Sequence, residues 1–381
     1  MKKTIVVVGG GFAGLEFIKQ LGNSTKYQII LVDVNNYNFF PPLIYQVSTG
    51  FMEPSAISYP FRKILRNKKS VGFRLGELKS VVPSENKIVL SNGELNYDIL
   101  VMATGTETNF FGNKNIETHS LPMKTISDAL SLRNVILTRL DRATRLKNPE
   151  DRKRLLTFVL AGAGPTGVEL SGILAEMRAS VIRKDYPELE KEDLGDIYLI
   201  DGQEAVLAVM SKKSQKYTHQ KLIDLGVKIK LNTLVKDFAN DTIFLSDGSE
   251  IKSRNLIWAA GVTAKTFEGF KPESYGKAKR LKTNAFNLVE GYNNIYALGD
   301  CAFIANDTDY PNGHPQLAQP ALQQAKNLAK NLCKPDNWKP FKYNDKGSLA
   351  IIGRNKAVMD SPKQKLFIKG FLAWFIWIFV H

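Results

Sequence analysis

Two glycine triplets with the same spacing are the residues best placed to do chemistry. Gly9-x-Gly11-x-x-Gly14 follows the apolar run Ile5-Val6-Val7-Val8 and opens a helical pattern, and Gly162-x-Gly164-x-x-Gly167 follows Phe158-Val159-Leu160 and does the same. In such a turn the first glycine permits a tight bend, the second lets a pyrophosphate approach the main chain, and the third allows close helix–strand packing. The helix N-terminus then attracts the phosphates. An acid closes each unit: Asp33, nineteen residues past Gly14, and Asp201, each ending a later strand where it can bind an adenosine ribose. A glycine turn without a ligand is the plain reading of one triplet, but strand, helix and acid repeated together imply two dinucleotides. Asp201 is followed by Gly202 and Gln203 with no arginine to receive a 2′-phosphate, so the second site should prefer NADH to NADPH.

Three further side chains are candidates. Pro320 pushes Gln319 out of the helical region and suits the first helical position itself, so a helix is expected from Pro320 to Leu332, with Gln319 at its mouth and Gln323 one turn on. Both carboxamides can share one face beside a positive helix end, where negative charge is stabilised and a carbonyl can be hydrogen-bonded. Equally, the pair could merely cap and solvate the helix. Glu169 falls in the first turn after the second triplet, where the helix dipole favours an acid whatever its function.

These residues need a scaffold of alternating elements. Strand-like runs at Thr4 to Val8, Gln28 to Val32, Ile99 to Met102, Thr157 to Leu160, Ile197 to Ile200 and Ile295 to Ala297 are separated by helical patterns, clearest at Ala13 to Leu21 and Thr166 to Lys184. That alternation predicts an α/β fold with parallel sheets. Lys79 to Asn96 and Val235 to Ser253 read as hairpins around Asn92-Gly93 and Asp247-Gly248. At 381 residues and 44% hydrophobic composition the chain can bury a core in each of two domains. A net charge of +15 calls for an anionic neighbour, phospholipid headgroups or nucleic acid, between which charge alone does not choose. The basic run from Arg139 to Arg154 is interleaved with Asp141, Glu150 and Asp151 and reads as a solvated helix rather than a phosphate track. Only Cys301 and Cys333 are present, which excludes a disulfide framework, a C-x-x-C pair and zinc spacing, and four scattered histidines give no metal site. No export signal precedes the first strand, and a reducing cytoplasm is the simplest setting.

Beyond the triplets, Val101-Met102-Ala103-Thr104-Gly105 and Ile295-Tyr296-Ala297-Leu298-Gly299-Asp300 resemble the ATG and GD motifs of the pyridine-nucleotide flavoprotein reductases. The likeness spans almost the whole chain and implies two Rossmann-like domains. By this resemblance FAD would be held by Gly9, Gly11, Gly14, Asp33, Thr104, Gly105, Gly299 and Asp300, the last on the ribityl chain. NADH would be held by Gly162, Gly164, Gly167 and Asp201, with Trp258-Ala259-Ala260-Gly261 resembling the strand and turn that border the nicotinamide dinucleotide. Pro41-Pro42-Leu43-Ile44-Tyr45-Gln46 stands where disulfide reductases carry their cysteine pair. It is similar to a segment of type II NADH dehydrogenases, as are Gly162 through Glu169, Ala318 through Gln324, and the tail from Ala373 through His381. This resemblance implies hydride transfer from NADH to flavin and electron transfer to a membrane quinone without proton pumping. Glu169, Gln319 and Gln323 become the catalytic candidates, with Tyr45 and Gln46 as weaker ones at the quinone.

The implied domains are 1–118 and 276–345 for FAD, 119–275 for NADH, and 346–381 as the start of a membrane-associating region that continues further in the family. Leu366 to Val380 is large and apolar but shorter than the ~20 residues a spanning helix needs. It is expected to be one interfacial helix against an anionic membrane, at the cytoplasmic face, with Lys363, Lys365 and Lys369 beside it. Packing of this segment on a further C-terminal part, or on another subunit as in a homodimer, is the competing reading. The resemblance involves no nucleic acid. Two other functions stay open: a slowly turning NADH-sensing flavoprotein, and sulfide:quinone oxidoreductase, which the cysteine pattern disfavours.

Overall fold

The computed structural model describes residues 2–380, and its contacts divide the chain into two compact units. One comprises Met1–Phe39, Ser58–Glu107 and Val262–Asp345; the other comprises Phe40–Ile57, Thr108–Gly261 and Lys346–His381.

In the first unit, five strands lie in the order Ile295–Ala297, Ile99–Met102, Lys3–Val8, Tyr27–Asp33, Val71–Leu75, all parallel. Their near-continuous Val, Ile and Leu are those of strands buried on both faces. One face carries the helices Phe12–Leu21 and Ala318–Cys333, through Phe17, Ile18, Ala325 and Leu328. The other packs on Leu78, Val81, Ile88 and Leu90 of a small antiparallel sheet. That sheet is a three-stranded meander, Leu78–Val82, Lys87–Leu90 and Gly93–Asn96, not the expected hairpin. Its extra turn is the 3-10 turn Pro83–Glu85 closed by left-handed Asn86, a weaker sequence signal than Asn92-Gly93.

The second unit repeats the plan: Leu121–Pro122, Asn255–Trp258, Phe158–Ala161, Ile197–Ile200, Val227–Lys230, again parallel. Val235–Ala239, Thr242–Leu245 and Glu250–Lys252 form a second three-stranded meander where a hairpin was expected. The 20-residue helix Ile126–Arg145 starts at a reciprocal capping box, in which Thr125 and Asp128 each accept the other's amide. The segment Phe40–Ile57, within the expected first domain 1–118, clusters in this unit, because Leu43 packs against Ile351 and Ala357 of the C-terminal sheet.

That sheet is antiparallel, Ser348–Gly353, Lys356–Asp360, Phe367–Gly370, and a helix follows at Phe371–Val380. The expected single helix from Leu366 is therefore corrected: Phe367–Gly370 is a strand, because Ile368 alternates inward against the sheet core and Gly370, at φ 70°, turns the chain into the helix. Ala373 and Trp377 pack inward, while Phe371, Leu372, Phe375, Ile378 and Phe379 are exposed. His381, the last residue of the tail, lies outside the described residues. Among those described, no helix is long and apolar enough to cross a membrane.

Candidate functional site

Each glycine of the first triplet has a steric reason. A Cβ on Gly9, at φ 103°, would collide with the Ala103 carbonyl, and one on Gly14 with the Gly9 carbonyl, so the bend and the helix–strand contact both exclude a side chain. A Cβ added to Gly11 would point into open space, and no side chain caps the helix that starts beside it. Such an opening at a positive helix end fits a pyrophosphate. Asp33 organises the turn: its Oδ2 accepts the Gly10 amide at 2.7 Å and its Oδ1 the Asn35 amide at 2.8 Å. Burial raises its pKa, opposed by these amides. Each carboxylate oxygen keeps a lone pair for a ribose hydroxyl.

The second triplet repeats this construction with other residues. Cβ atoms on Gly162 and Gly167 would strike the carbonyls of Ala259 and Gly162, and Gly164 is open. Asp201 accepts the Ala163 amide at 2.5 Å and the Gln203 amide at 2.7 Å. Gly261 ends the stretch after the Asn255–Trp258 strand, its carbonyl accepting the Asn109 amide at 3.1 Å. Both turns therefore fit a dinucleotide, and neither needs a side chain to contact the phosphates.

In the first unit Gly299, at φ 71°, sits between helix starts, where an added Cβ would lie 3.3 Å from Ala13 Cβ and 3.2 Å from Ala321 Cβ. Two positive helix ends thus meet beside Asp300, which forms a short 3-10 turn with Gly299 and Cys301. Thr104 and Gly105 lie against the buried Cys301 thiol, whose own pKa burial pushes up. The sequence reading missed Gln324: it is 1% exposed, and its Oε1 accepts the Gly299 amide at 2.7 Å, tying the helix to the turn. A glutamine on the inward face of an apolar-periodic helix was the available signal.

The helix carrying the glutamines begins at Ala318, not Pro320, so Gln319 lies inside its first turn rather than at its mouth. Pro320 is tolerated there because the first four helical amides have no intrahelical acceptor anyway. Gln323 donates to the Asn344 carbonyl and accepts the Asn344 amide, both at 2.9 Å, while Gln319 Oε1 faces the Tyr343 hydroxyl at 3.4 Å. Both carboxamides thus face one segment, as their i, i+4 spacing requires.

Glu169 is the fifth residue of the helix Pro165–Met177, past the first turn, so the expected dipole explanation of this acid fails. Glu169, Gly172 and Glu176 share a helix face against the strand Ser348–Gly353. A Cβ on Gly172 would collide with the Ile352 carbonyl, so the glycine sets the close approach. Glu176 accepts the Arg354 amide at 2.8 Å, and the Ile351 amide is 3.5 Å from Glu169 Oε1. Part of the Glu169 side chain remains accessible, but desolvation of its carboxyl pushes the pKa up to about 8 against that single distant amide. Tyr45 is buried nearby: desolvation first, then the Glu169 charge, raises its pKa, and its hydroxyl accepts from Gln46 Nε2 at 3.1 Å. The structure thus assembles Glu169, Tyr45 and Gln46, distant in sequence, within one unit.

Residues 3–325 match the family model described as pyridine nucleotide-disulphide oxidoreductase. The chain is 32% identical to the type II NADH:quinone oxidoreductase Ndh of Mycobacterium tuberculosis, covering 99% of this chain and 83% of that one. It is 29% identical to an external alternative NADH-ubiquinone oxidoreductase, mitochondrial, of Yarrowia lipolytica, over 94% and 71%. In fold it resembles NDH2 from Plasmodium falciparum, solved in complex with NADH, with a TM-score of 0.90 at 22% identity over 100% and 95% of the two chains. Against the sulfide:quinone oxidoreductase of Aquifex aeolicus the TM-score is 0.78, at 20% identity over 98% and 88%. With both glycine turns in place and relatives matched along their length, the chain belongs to the pyridine nucleotide-disulphide oxidoreductase family, in its type II NADH:quinone oxidoreductase branch.

Proposed function

We propose that this chain oxidises NADH and reduces a membrane quinone with FAD as its cofactor, using Glu169 to orient the cofactor or assist proton delivery and Gln319 and Gln323 at the quinone. The observation that carries this is the doubled glycine turn, each copy open at its middle glycine and each braced by an aspartate on its own main chain. Gly9, Gly11, Gly14, Asp33, Thr104, Gly105, Gly299 and Asp300 hold FAD; Gly162, Gly164, Gly167, Asp201 and Gly261 hold NADH. Bound FAD supplies the hydride acceptor and two-electron donor that no side chain offers.

The protein's own part is placement and protons. Asp201 favours a free 2′-hydroxyl over a 2′-phosphate by charge. Quinone reduction takes up two protons with two electrons, and Glu169, neutral up to about pH 8, holds one at its carboxyl with Tyr45 beside it. Gln323 has a second N–H beyond the one it gives to the Asn344 carbonyl, and this can donate to a quinone oxygen as it gains charge, with Gln319 one helical turn before it. Attachment to the cytoplasmic face of an anionic membrane falls to the exposed side of Phe371–Val380, whose ~15 Å length suits the interface rather than a crossing. A second copy of the chain on that side, giving a homodimer, is the competing occupant.

Stopped-flow measurement of the half-reactions tests the assignment. Gln319→Ala should slow oxidation of the NADH-reduced protein by quinone about tenfold and leave reduction by NADH within twofold. Equal loss in both would assign Gln319 to the fold or to FAD binding instead.

A further inference from the structure

Phe111 bears two costs at once. It is a non-glycine residue at φ 51°, in the left-handed region that bulky side chains avoid, and its ring is 68% exposed. Its neighbour Phe110 packs into the hydrophobic core and stacks on Trp258, whereas the Phe111 ring meets Trp258 edge-on at 6.4 Å and stays largely in solvent.

The backbone around it is fixed on both sides. Asn109 donates its amide to the Gly261 carbonyl, accepts Trp258 Nε1 at 2.8 Å on its own carbonyl, and accepts the Phe111 amide at 2.9 Å on Oδ1. Asn113 accepts the Ile116 amide at 3.0 Å and donates to the Lys236 carbonyl at 2.8 Å. Only the tip, Phe111-Gly112, bends left-handed between them. Strain held in place by such anchoring is characteristic of ligand clamps.

The ring is aimed at Gly261: a Cβ built there would lie 3.1 Å from Phe111 Cζ. Topology says what passes that point. Strand order reverses at Phe158–Ala161, with Ile197–Ile200 and Val227–Lys230 on one side and Asn255–Trp258 and Leu121–Pro122 on the other. A dinucleotide lies across such a switch point. Asp201 ends the strand on one side and takes the adenosine ribose, so the nicotinamide nucleotide extends to the other side, over Ala259-Ala260-Gly261.

We propose that Phe111 is a specificity and retention residue for NADH: its exposed ring closes on the nicotinamide nucleotide beside Gly261. This rests on the dinucleotide reading of the second glycine turn. Because the anchors hold the main chain, closure needs only side-chain rotation, and the ring contributes to the nicotinamide half alone.

Calorimetric binding to the FAD-loaded protein tests it, with NAD+ as a ligand that transfers no hydride and ADP as the adenosine-side control. Phe111→Ala should weaken NAD+ about fivefold to tenfold, the scale of one aromatic stacking contact, and leave ADP within twofold. Phe111→Tyr should retain NAD+ affinity. Phe111→Gly, which suits the left-handed backbone, should lose affinity like Phe111→Ala while melting no lower than the wild type. Unchanged NAD+ affinity in Phe111→Ala, or parallel loss of NAD+ and ADP, would overturn the proposal while leaving the functional reading intact. Failure of the wild type to bind either ligand would overturn both.

Discussion

Replacing Glu169 by glutamine removes a carboxyl that burial holds protonated near neutrality. The gap between its ordinary value of 4.5 and about 8 corresponds to about 5 kcal/mol against the ionised form. A raised carboxyl means that the folded state binds the proton more tightly than the unfolded one. This contribution is therefore fully present below pH 4.5 and is lost as pH rises towards 8. Between pH 5 and pH 9 the wild type should lose about 4 kcal/mol of stability from this residue that Glu169→Gln does not lose. On the role proposed for Glu169, wild-type quinone reduction at saturating NADH should fall with a midpoint near pH 8, as the proton leaves. Infrared difference titration gives the direct readout, because a protonated carboxyl band should disappear near pH 8 in the wild type and be missing from Glu169→Gln. Parallel stability curves for the two proteins, or a carboxyl band gone by pH 6, would refute the desolvation argument.

Asp201→Ala should narrow the preference for NADH over NADPH in flavin reduction by at least tenfold; a wild-type preference for NADPH would contradict the role given to this carboxylate. Gly172→Ala should force the helix Pro165–Met177 away from Ile352, lowering stability by about 1–3 kcal/mol and moving the Glu169 titration towards ordinary carboxyl values; an unchanged pH profile would show that the close approach does not set the Glu169 environment. Serine at Phe371, Phe375 and Phe379 together should abolish flotation with anionic vesicles while leaving NADH-driven flavin reduction intact, whereas undiminished flotation would place membrane binding elsewhere. These substitutions are preferable to ending the chain at Pro362, which would also remove the Phe367–Gly370 strand from its pairing with Lys356–Asp360.

What the sequence made legible is what local sterics dictate. The glycine turns could be read because their bends and contacts admit no Cβ, and the strands because uninterrupted Val and Ile runs belong to a sheet covered on both faces. Boundaries set by tertiary packing were not legible. Pro320 implied a helix start, yet the helix gains one further half-turn at Ala318 because proline is harmless anywhere its amide has no acceptor. The strand Phe367–Gly370 was hidden inside an apolar run whose composition suits either element, and its pairing partner, Lys356–Asp360, decided the matter. Glu169 shows the limit most clearly: position suggested a dipole-stabilised carboxylate, while burial raises its pKa against the lowering effect of the Ile351 amide. Gln324 and Phe111 went unread for a related reason, since one is polar where a helix faces its core and the other is aromatic where the chain meets solvent.

Electrons pass from NADH through FAD to quinone on this one chain. The most direct measurement is an anaerobic titration of the purified protein followed in the visible spectrum. One equivalent of NADH should bleach the bound FAD, and a short-chain quinone added without oxygen should restore the oxidised spectrum within seconds. A correctly folded protein that takes up no FAD, or one that NADH bleaches and only oxygen restores, would contradict it.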